Sequence, residues 1–268
     1  MIGLRVLILV SIDVCPLVAA EPTWKKDITP SEIGSHPRIK SGILDLKVSW
    51  NGMLDSGKLQ VKFAPKDTNK PNAYVVTSSA ASLGIAAGLF PYTCNFWSEL
   101  DPVSLQPQLF SAVETDSEET TSTTVRYAPN RAVCKETTQP IPKGSSKTIE
   151  RIFEFSPVFD IFSAMLHIRS QKLNIGDEFN LVVLPFKTPY LIKVKVQGRE
   201  AHLDRKTIRL TVGMRKINGK TLELVPYKKM KKDATLWLSD DDDRIPVEFR
   251  AAIFVGDVRA TLTNFQRT

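Results

Sequence analysis

Histidine is scarce in this sequence, and the motifs of several common enzyme classes are missing. The three histidines, His36, His167 and His202, include no pair at metal-ligand spacing. The chain has no G-x-S-x-G nucleophile elbow, no glycine loop that cradles phosphate and no zinc-protease helix. We therefore expect a protein that is not an enzyme and has no cofactor.

Long apolar runs and low-complexity segments are also rare. With 13 glycines, 8% aromatic and 24% charged residues, the chain is neither collagenous nor disordered. Its 268 residues are 42% apolar, which is enough for a core and predicts one or two domains. Beyond the first twenty residues no segment approaches the ~20 apolar residues of a membrane-spanning helix.

Residues 1–20 have the features of a signal peptide. Arg5 supplies a positive start, two apolar stretches follow it, and Ala19 and Ala20 form the small-residue pattern that signal peptidase cuts. The alternative interpretation is an N-terminal strand or core helix. The predicted leader places the mature chain in the periplasm or outside the cell.

Removal of this leader would leave two cysteines, Cys94 and Cys134. Both lie in segments with strand character, and two thiols in an oxidising compartment can pair. A bridge that closes about 40 residues contributes roughly 4 kcal/mol in the chain-entropy model. We expect this disulfide, and the alternative is two buried, unpaired thiols.

The positive charge of the chain is scattered. The formal net charge is +7, and the densest basic run is K-K-M-K-K at residues 228–232. A solvated loop is the simpler interpretation of this run, and a phosphate or polyanion contact is the other. Because no recognition helix, zinc-finger spacing or stacking-aromatic motif accompanies the charge, we expect no nucleic-acid partner.

The dominant hydrophobic period of the chain is two, as in β-strands. Leu44 and Leu46 alternate with polar residues, and Val61 and Phe63 do the same after Asn51-Gly52, which predicts a first hairpin. The alternation recurs at residues 192–196, 208–214 and 222–224, with Gly198 and Asn218-Gly219 where turns are expected.

Two segments break this period. Residues 79–90 are small and apolar, and predict either a short helix or a flat strand. Residues 156–171 predict a helix, with Ser156 as its N-cap and Pro157 in its first position. Most of this helix is apolar around its circumference, so more than one of its sides must be covered.

A sheet that curves around the helix meets this requirement. We predict a mainly β fold, with an antiparallel, strongly curved sheet, half-barrel or barrel-like, and one apolar helix packed against it. Residues 21–42 are expected to form an extended lead-in and residues 43–268 a single β-rich domain. Residues 136–147 fit a long surface loop in this domain, or alternatively an interdomain linker.

The C-terminal third carries the most specific motif of the sequence. It covers residues 237–247 and 256–262, and its characteristic residues are Trp237, Ser239, Asp240, Asp241, Arg244 and Pro246. With further agreement at residues 48–57, 90–102 and 160–169, the chain resembles the bacterial exported family known as domain of unknown function 3108. The resemblance extends over nearly all of residues 43–264. It implies a secreted or periplasmic β-rich domain without assigned catalytic residues, similar to the half-barrel carriers of lipoproteins and lipids.

The acidic run of this motif has two interpretations. Residues 239–243 fit a polar turn, after which Pro246 begins a strand at a position where proline is tolerated. The alternative is a calcium site made by four carboxylates. We favour the turn, because the run lacks the alternating spacing and the later glutamate of an EF-hand.

Two functions remain open at this point. The first is an envelope binding protein with an apolar groove for a lipid, an acyl chain or an envelope polymer. The helix residues that we expect to line this groove are Phe159, Phe162, Met165 and Leu166. The second is a structural or assembly module of the envelope, which contacts a protein partner through an exposed strand edge and the basic run.

Overall fold

The computed structural model describes residues 21–36, 40–65, 73–228, 230–253 and 256–268. The predicted signal peptide lies outside the described residues. Within the described part of the chain, neither the length nor the apolar content of any helix is sufficient to cross a membrane.

Strands dominate the regular structure of the described residues. The first eight strands are β1 (Gly42–Trp50), β2 (Leu54–Pro65), β3 (Tyr74–Ser82), β4 (Thr93–Leu100), β5 (Pro107–Thr115), β6 (Glu119–Ala128), β7 (Arg131–Pro140) and β8 (Lys147–Phe153). The others are β9 (Glu178–Val183), β10 (Tyr190–His202), β11 (Arg205–Ile217), β12 (Leu224–Pro226), β13 (Ala234–Ser239), β14 (Pro246–Ala252) and β15 (Asp257–Arg267). The α-helices are α1 (Gly84–Leu89) and α2 (Ile161–Ser170), and Thr23–Asp27 forms a 3₁₀ turn.

The strands form one large antiparallel sheet. Their order in the described residues is β8-β7-β6-β5-β4-β3-β2-β1-β15-β14-β13-β11-β10-β9, and β12 pairs with β11 beside this path. Strands β8 and β9 stand at the two ends of the order, so the sheet is not closed. The predicted mainly β, antiparallel fold is confirmed.

The first predicted hairpin is also confirmed. Strands β1 and β2 pair along their lengths, and Leu44 and Leu46 of β1 face the core as the alternation predicts. The chain reverses with positive φ at Asn51 and Gly52. Glycine adopts the φ of +71° at residue 52 without strain, and a Cβ atom there would also lie 2.5 Å from the guanidinium of Arg259.

One predicted turn lies inside a strand, and another is wider than predicted. Gly198 lies inside β10, at a register shift opposite Arg209, and the chain turns later, at Leu203 and Asp204. Asn218-Gly219 does follow β11, but the connection to β12 spans residues 218–223 rather than two residues. The backbone carbonyl of Asn218 accepts a hydrogen bond from the N–H of Leu222, which closes this wider turn.

Helix α2 begins later than predicted. Its N-cap is Asp160, not Ser156, and Pro157 precedes the helix. The reason is that Phe159 pairs with strand β9. Its N–H donates to the carbonyl of Val182 at 2.9 Å, and its carbonyl accepts from the N–H of Leu184 at 2.8 Å. These bonds hold the chain extended up to the cap.

The sheet covers α2 from two sides, as its apolar circumference requires. Leu166 packs in a core cluster with residues of β1, β2, β3 and β4. Ile168 packs in another cluster with residues of β9, β10, β11 and β13. Because these strands are far apart in the sheet order, their contact with one short helix shows that the sheet is strongly curved.

The predicted disulfide is wrong. Cys94 on β4 and Cys134 on β7 are both buried, free thiols. Strands β5 and β6 separate β4 from β7, and each adjacent strand adds about 4.8 Å, whereas a bridge needs Cα atoms within about 7 Å. Burial raises the pKa of each thiol to about 11.

Two further segments, for which the sequence allowed alternatives, have a defined structure in the sheet. Residues 79–90 contain both predicted alternatives, because they include the end of β3 and all of α1. Residues 136–147 run from β7 into β8, and these two strands pair with each other. The segment therefore comprises the end of β7 and the connection to β8, and both of its flanking strands belong to one sheet.

The lead-in packs along the open side of the sheet. The Trp24 indole N–H donates to the carbonyl of Leu222 at 2.8 Å. The backbone N–H of Thr29 donates to the carbonyl of Asn180 on β9 at 2.9 Å, and Gly34 reaches Ser170 at the end of α2. The segment thus covers part of the exposed edge of β9.

Candidate functional site

The closing motif forms a tight turn between β13 and β14. Asp241 Oδ1 accepts hydrogen bonds from Ser239 Oγ at 2.7 Å and from the backbone N–H groups of Asp243 and Arg244, each at 3.0 Å. Ser239 Oγ accepts in turn from the N–H of Ile245 at 2.9 Å. Ser239 and Asp241 therefore fix the polar turn, and Pro246 begins β14.

Arg244 connects this turn to the end of α2. Its Nη1 donates to the carbonyl of Arg169 at 2.9 Å and to that of Gln171, and its Nη2 donates to the carbonyl of Lys172 at 3.2 Å. The last carbonyls of a helix lack partners within the helix and carry partial negative charge. The guanidinium thus caps α2 from another part of the chain.

The acidic side chains of the motif point to different partners. Asp240 pairs with Arg199 at 3.1 Å, while Asp243 pairs with Arg267. Asp241 is occupied within the turn itself. Among the described residues, no three His, Cys, Asp or Glu side chains are grouped in a way that could hold a metal ion.

Trp237 anchors a polar cluster on the outer face of the sheet. Its ring stacks on His202 with centroids 4.1 Å apart, and the Arg250 guanidinium lies 5.1 Å from the ring centroid. The indole N–H donates to Glu200 Oε1 at 2.8 Å. Buried Glu248 accepts from Arg250 Nη2 at 2.6 Å and lies 3.3 Å from His202 Nε2. These contacts tie β10, β13 and β14 together.

The four predicted groove residues lie in or against the core. Phe159 and Leu166 are fully buried, whereas Phe162 and Met165 are half-buried and pack against the core clusters. None of them lines the three main clefts of the described residues. These four side chains therefore pack α2 against the core, and the three clefts are lined by other residues.

His167 on α2 is a buried histidine without full hydrogen bonding. Its ring centroid lies 5.1 Å from that of Phe159, and its Nδ1 has no hydrogen-bond partner among the described residues. Burial lowers the pKa of this imidazole to about 4, although the charge of Glu32 acts in the opposite direction.

This burial predicts acid sensitivity. Between about pH 7.5 and pH 4.5, the wild type should lose about 2–3 kcal/mol more of its free energy of unfolding than the variant His167→Gln. The folded-state pKa lies below the ordinary value of 6.5, so the unfolded chain takes up a proton first. The stability is therefore present above pH 6.5 and is lost as the pH falls toward 4. Urea denaturation at both pH values measures the difference, and equal losses would exclude His167 as the titrating group.

The largest of the three clefts lies where the sheet fails to close. This seam cleft has a volume of about 590 Å³. Strands β7 and β8, the β9–β10 connection and the end of β11 surround it. Its floor is apolar and includes Phe153, Leu184 and Ile217, all of them buried. Its rim carries the basic side chains Arg151, Lys187, Lys216 and Lys220 together with Glu150.

Buried Glu136 separates the seam cleft from a second, acidic cleft. It pairs with Lys187 at 3.0 Å and with Arg151 at 3.7 Å. The acidic cleft, of about 310 Å³, shares Lys187 and adds Glu114, Asp116 and Glu119. Tyr92 at its edge donates to Glu114 at 2.7 Å, and burial together with this carboxylate raises the pKa of the phenol. The two clefts thus have opposite electrostatic character.

Sequence patterns alone do not identify the seam cleft. Arg151, Lys187 and Lys216 come from separate strands and loops, and no spacing connects them. They meet because β8 and β9 are the two ends of one curved sheet. The one sequence signal is the position of Lys216 just after the predicted alternation at residues 208–214.

Comparison with known proteins gives one structure of similar fold and a matching family. A β-barrel-like protein of domain of unknown function DUF1849 from Brucella abortus has a TM-score of 0.55 at 9% identity, covering 86% of this chain and 99% of that one. A Bacteroides fragilis protein with a YmcC-like fold has a TM-score of 0.30 at 6% identity, covering 87% of this chain and 99% of that one. No curated protein matches the chain. The family model described as protein of unknown function (DUF3108) matches residues 45–263, so the chain belongs to the DUF3108 family, as its closing motif predicts.

Proposed function

We propose that the protein is an exported, non-catalytic component of the cell envelope that binds an anionic amphiphile in the seam cleft. The lining of the cleft is the observation that carries this proposal. An acyl chain on the floor beside Leu184 and Ile217 would be removed from water. An anionic headgroup would meet the basic rim at Lys216 and Lys220.

The size and polarity of the cleft support the same ligand class. A volume of about 590 Å³ lies within the range of about 300–1,000 Å³ of small-molecule sites. Arg151 Nη1 is buried, and among the described residues it has an ion pair with Glu136 at 3.7 Å but no hydrogen bond. The Arg151 side chain as a whole lines the cleft and is 40% exposed, so its guanidinium can donate to a bound carboxylate or phosphate.

Palmitate is a suitable probe of this site. We expect saturable binding by isothermal titration calorimetry, and at least about tenfold weaker binding by the double variant Lys216→Glu with Lys220→Glu. The matched control is Arg126→Glu with Lys135→Glu, which makes the same charge change on exposed side chains outside the three clefts. The control should bind palmitate like the wild type, and neutral methyl palmitate should bind more weakly than palmitate.

Two outcomes contradict this function. One is the absence of saturable palmitate binding by the wild type. The other is an equal loss in the cleft and control variants, which would indicate a general charge effect rather than a site. Mass spectrometry of lipids extracted from protein purified from its native host then identifies the natural ligand.

A second candidate function is assembly through protein contacts. Strand β8 has β7 as its neighbour and stands at the end of the sheet order in the described residues, and such edges can accept a strand from another chain. The basic run at residues 228–232 is exposed at Lys231 and Lys232. Crosslinking in the intact envelope separates the candidates, because a reproducible protein partner at β8 favours assembly.

A further inference from the structure

The acidic cleft has an excess of negative charge. Against the single ammonium group of Lys187, its lining contains the carboxylates of Glu114, Asp116, Glu119 and Glu136. Lys187 pairs with Glu136, and in the described part of the chain no basic side chain forms an ion pair with the other three acids. Two backbone N–H groups of the turn after β5 donate to Asp116 and lower its pKa, so this carboxyl is ionised at neutral pH. A cleft with this charge favours a cationic ligand group.

The carboxylates of the acidic cleft also have free acceptor positions. Glu114 accepts from the Tyr92 phenol at 2.7 Å, and Glu119 accepts from the Thr121 hydroxyl at 3.3 Å. An ionised carboxylate has about four lone-pair sites, so both acids can accept further N–H donors. A primary ammonium group supplies such donors, whereas a quaternary ammonium group has none.

A buried hydroxyl on the same face of the sheet lacks a hydrogen-bond partner. Thr123 is 1% exposed, and among the described residues nothing bonds to its Oγ1. Thr123 pairs with Glu136 across β6 and β7 and alternates with Thr121 along β6, so the three side chains point to the same face. Glu136 and Thr121 line the acidic cleft. Because buried polar groups are nearly always hydrogen-bonded, the Thr123 hydroxyl indicates a polar ligand group at the inner end of this cleft.

The acidic cleft adjoins the seam cleft. Lys187 and Thr188 line both of them. Between the two clefts, Glu136 contacts two cations, Lys187 Nζ at 3.0 Å and Arg151 Nη1 at 3.7 Å. Because two cations share one carboxylate, this group keeps a net positive charge, and Arg151 presents it to the seam cleft. A positive centre and a negative centre are therefore close enough for one ligand headgroup to reach both.

We propose that the amphiphile of the seam cleft has a zwitterionic headgroup, a phosphodiester with a primary ammonium group as in phosphatidylethanolamine. The phosphate accepts from Arg151, and the ammonium group enters the acidic cleft beside Glu114 and Thr123. A lipid with the phosphate alone would bring only negative charge toward these carboxylates. This inference rests on the proposed function, because the acyl chain must lie in the seam cleft for the headgroup to reach this position.

Two single-chain lipids that differ only in the headgroup test this inference. Isothermal titration calorimetry below the micelle concentration compares palmitoyl lysophosphatidylethanolamine with palmitoyl lysophosphatidylglycerol, which lacks the ammonium group. We expect the wild type to bind the ethanolamine lipid about fivefold more tightly. The double variant Glu114→Gln with Glu119→Gln should lose this preference. Free phosphoethanolamine, which has the headgroup without the chain, should bind more weakly than either lipid.

The matched control is Glu154→Gln with Glu223→Gln. It makes the same charge change on exposed side chains that line none of the three clefts. Glu223 accepts from the Thr221 hydroxyl at 3.1 Å, as Glu119 accepts from Thr121. The control variant should keep the preference of the wild type for the ethanolamine lipid.

Palmitate separates this inference from the proposed function, because it has no ammonium group. The variant at Glu114 and Glu119 should bind palmitate at least as tightly as the wild type, which also shows that it folds. If palmitate binds but the wild type does not distinguish the two lysolipids, or if the cleft variant keeps the preference, the zwitterionic headgroup is overturned and the acyl-chain site stands. Free phosphoethanolamine that binds as tightly as the lipid would also overturn it. Absence of palmitate binding contradicts the proposed function, and this inference with it.

Discussion

Arg244→Ala is expected to lower the free energy of unfolding by about 3–5 kcal/mol. The guanidinium is buried and donates to the carbonyls of Arg169, Gln171 and Lys172. Alanine would leave the buried carbonyl of Arg169 and the part-buried carbonyls of Gln171 and Lys172 without this donor, and each unsatisfied buried group costs about 1–3 kcal/mol. Urea denaturation at neutral pH measures the effect.

Two comparisons make this measurement specific. Arg126→Ala removes an exposed arginine on β6 and should change the stability by less than about 0.5 kcal/mol. Arg244→Lys should recover only part of the lost stability. The lysine ammonium group can donate hydrogen bonds, but it cannot reproduce the geometry of the guanidinium. If Arg244→Ala and Arg126→Ala were equally stable, the cap would have no energetic importance.

The closing motif therefore has a structural explanation at each of its main residues. Ser239 and Asp241 fix the turn, Arg244 caps α2, and Trp237 joins three strands from the outer face. The turn and the helix are distant in sequence and adjacent in space. The most specific part of the sequence thus holds the helix inside the sheet, and the candidate binding surfaces lie elsewhere on the molecule.

The strands could be predicted from the sequence because their signal is local. Leu44 and Leu46 alternate with polar residues on one strand, and this pattern alone indicates a sheet with one buried face. The start of α2 could not be predicted in the same way. Ser156 and Pro157 are a good local helix start, but the hydrogen bonds of Phe159 with β9 are long-range and keep that segment extended.

Long-range strand order also explains why the sequence did not predict the separation of the two cysteines or the seam cleft. Cys94 and Cys134 both lie on strands, as predicted, but local patterns do not reveal the two strands between them. The seam cleft depends on the same information, since Arg151 and Lys216 meet only because the sheet curves until its ends approach.

The N-cap of α2 leads to the second large effect. Asp160 Oδ1 accepts from the backbone N–H groups of Phe162 at 2.8 Å and Ser163 at 2.7 Å, and Oδ2 accepts from Ser98 Oγ at 2.5 Å. The N–H of Asp160 donates to Ser163 Oγ at 2.8 Å, which completes a capping box. Burial raises the pKa of this carboxyl, and the hydrogen bonds from Ser98 and the helix start oppose that shift.

Asp160→Ala is expected to cost about 2–4 kcal/mol, because it removes a helix cap and leaves the Ser98 hydroxyl without its acceptor in the core. Ser156→Ala is the matched control. Ser156 is exposed and is the cap that local sequence patterns predict, so its replacement should change the stability by less than about 0.5 kcal/mol. Asp160→Asn retains an acceptor and should fall between the two. Urea denaturation ranks the three variants by their free energy of unfolding. A larger loss for Ser156→Ala than for Asp160→Ala would show that α2 begins at Ser156, as the local pattern predicts. That result would contradict the pairing of Phe159 with β9.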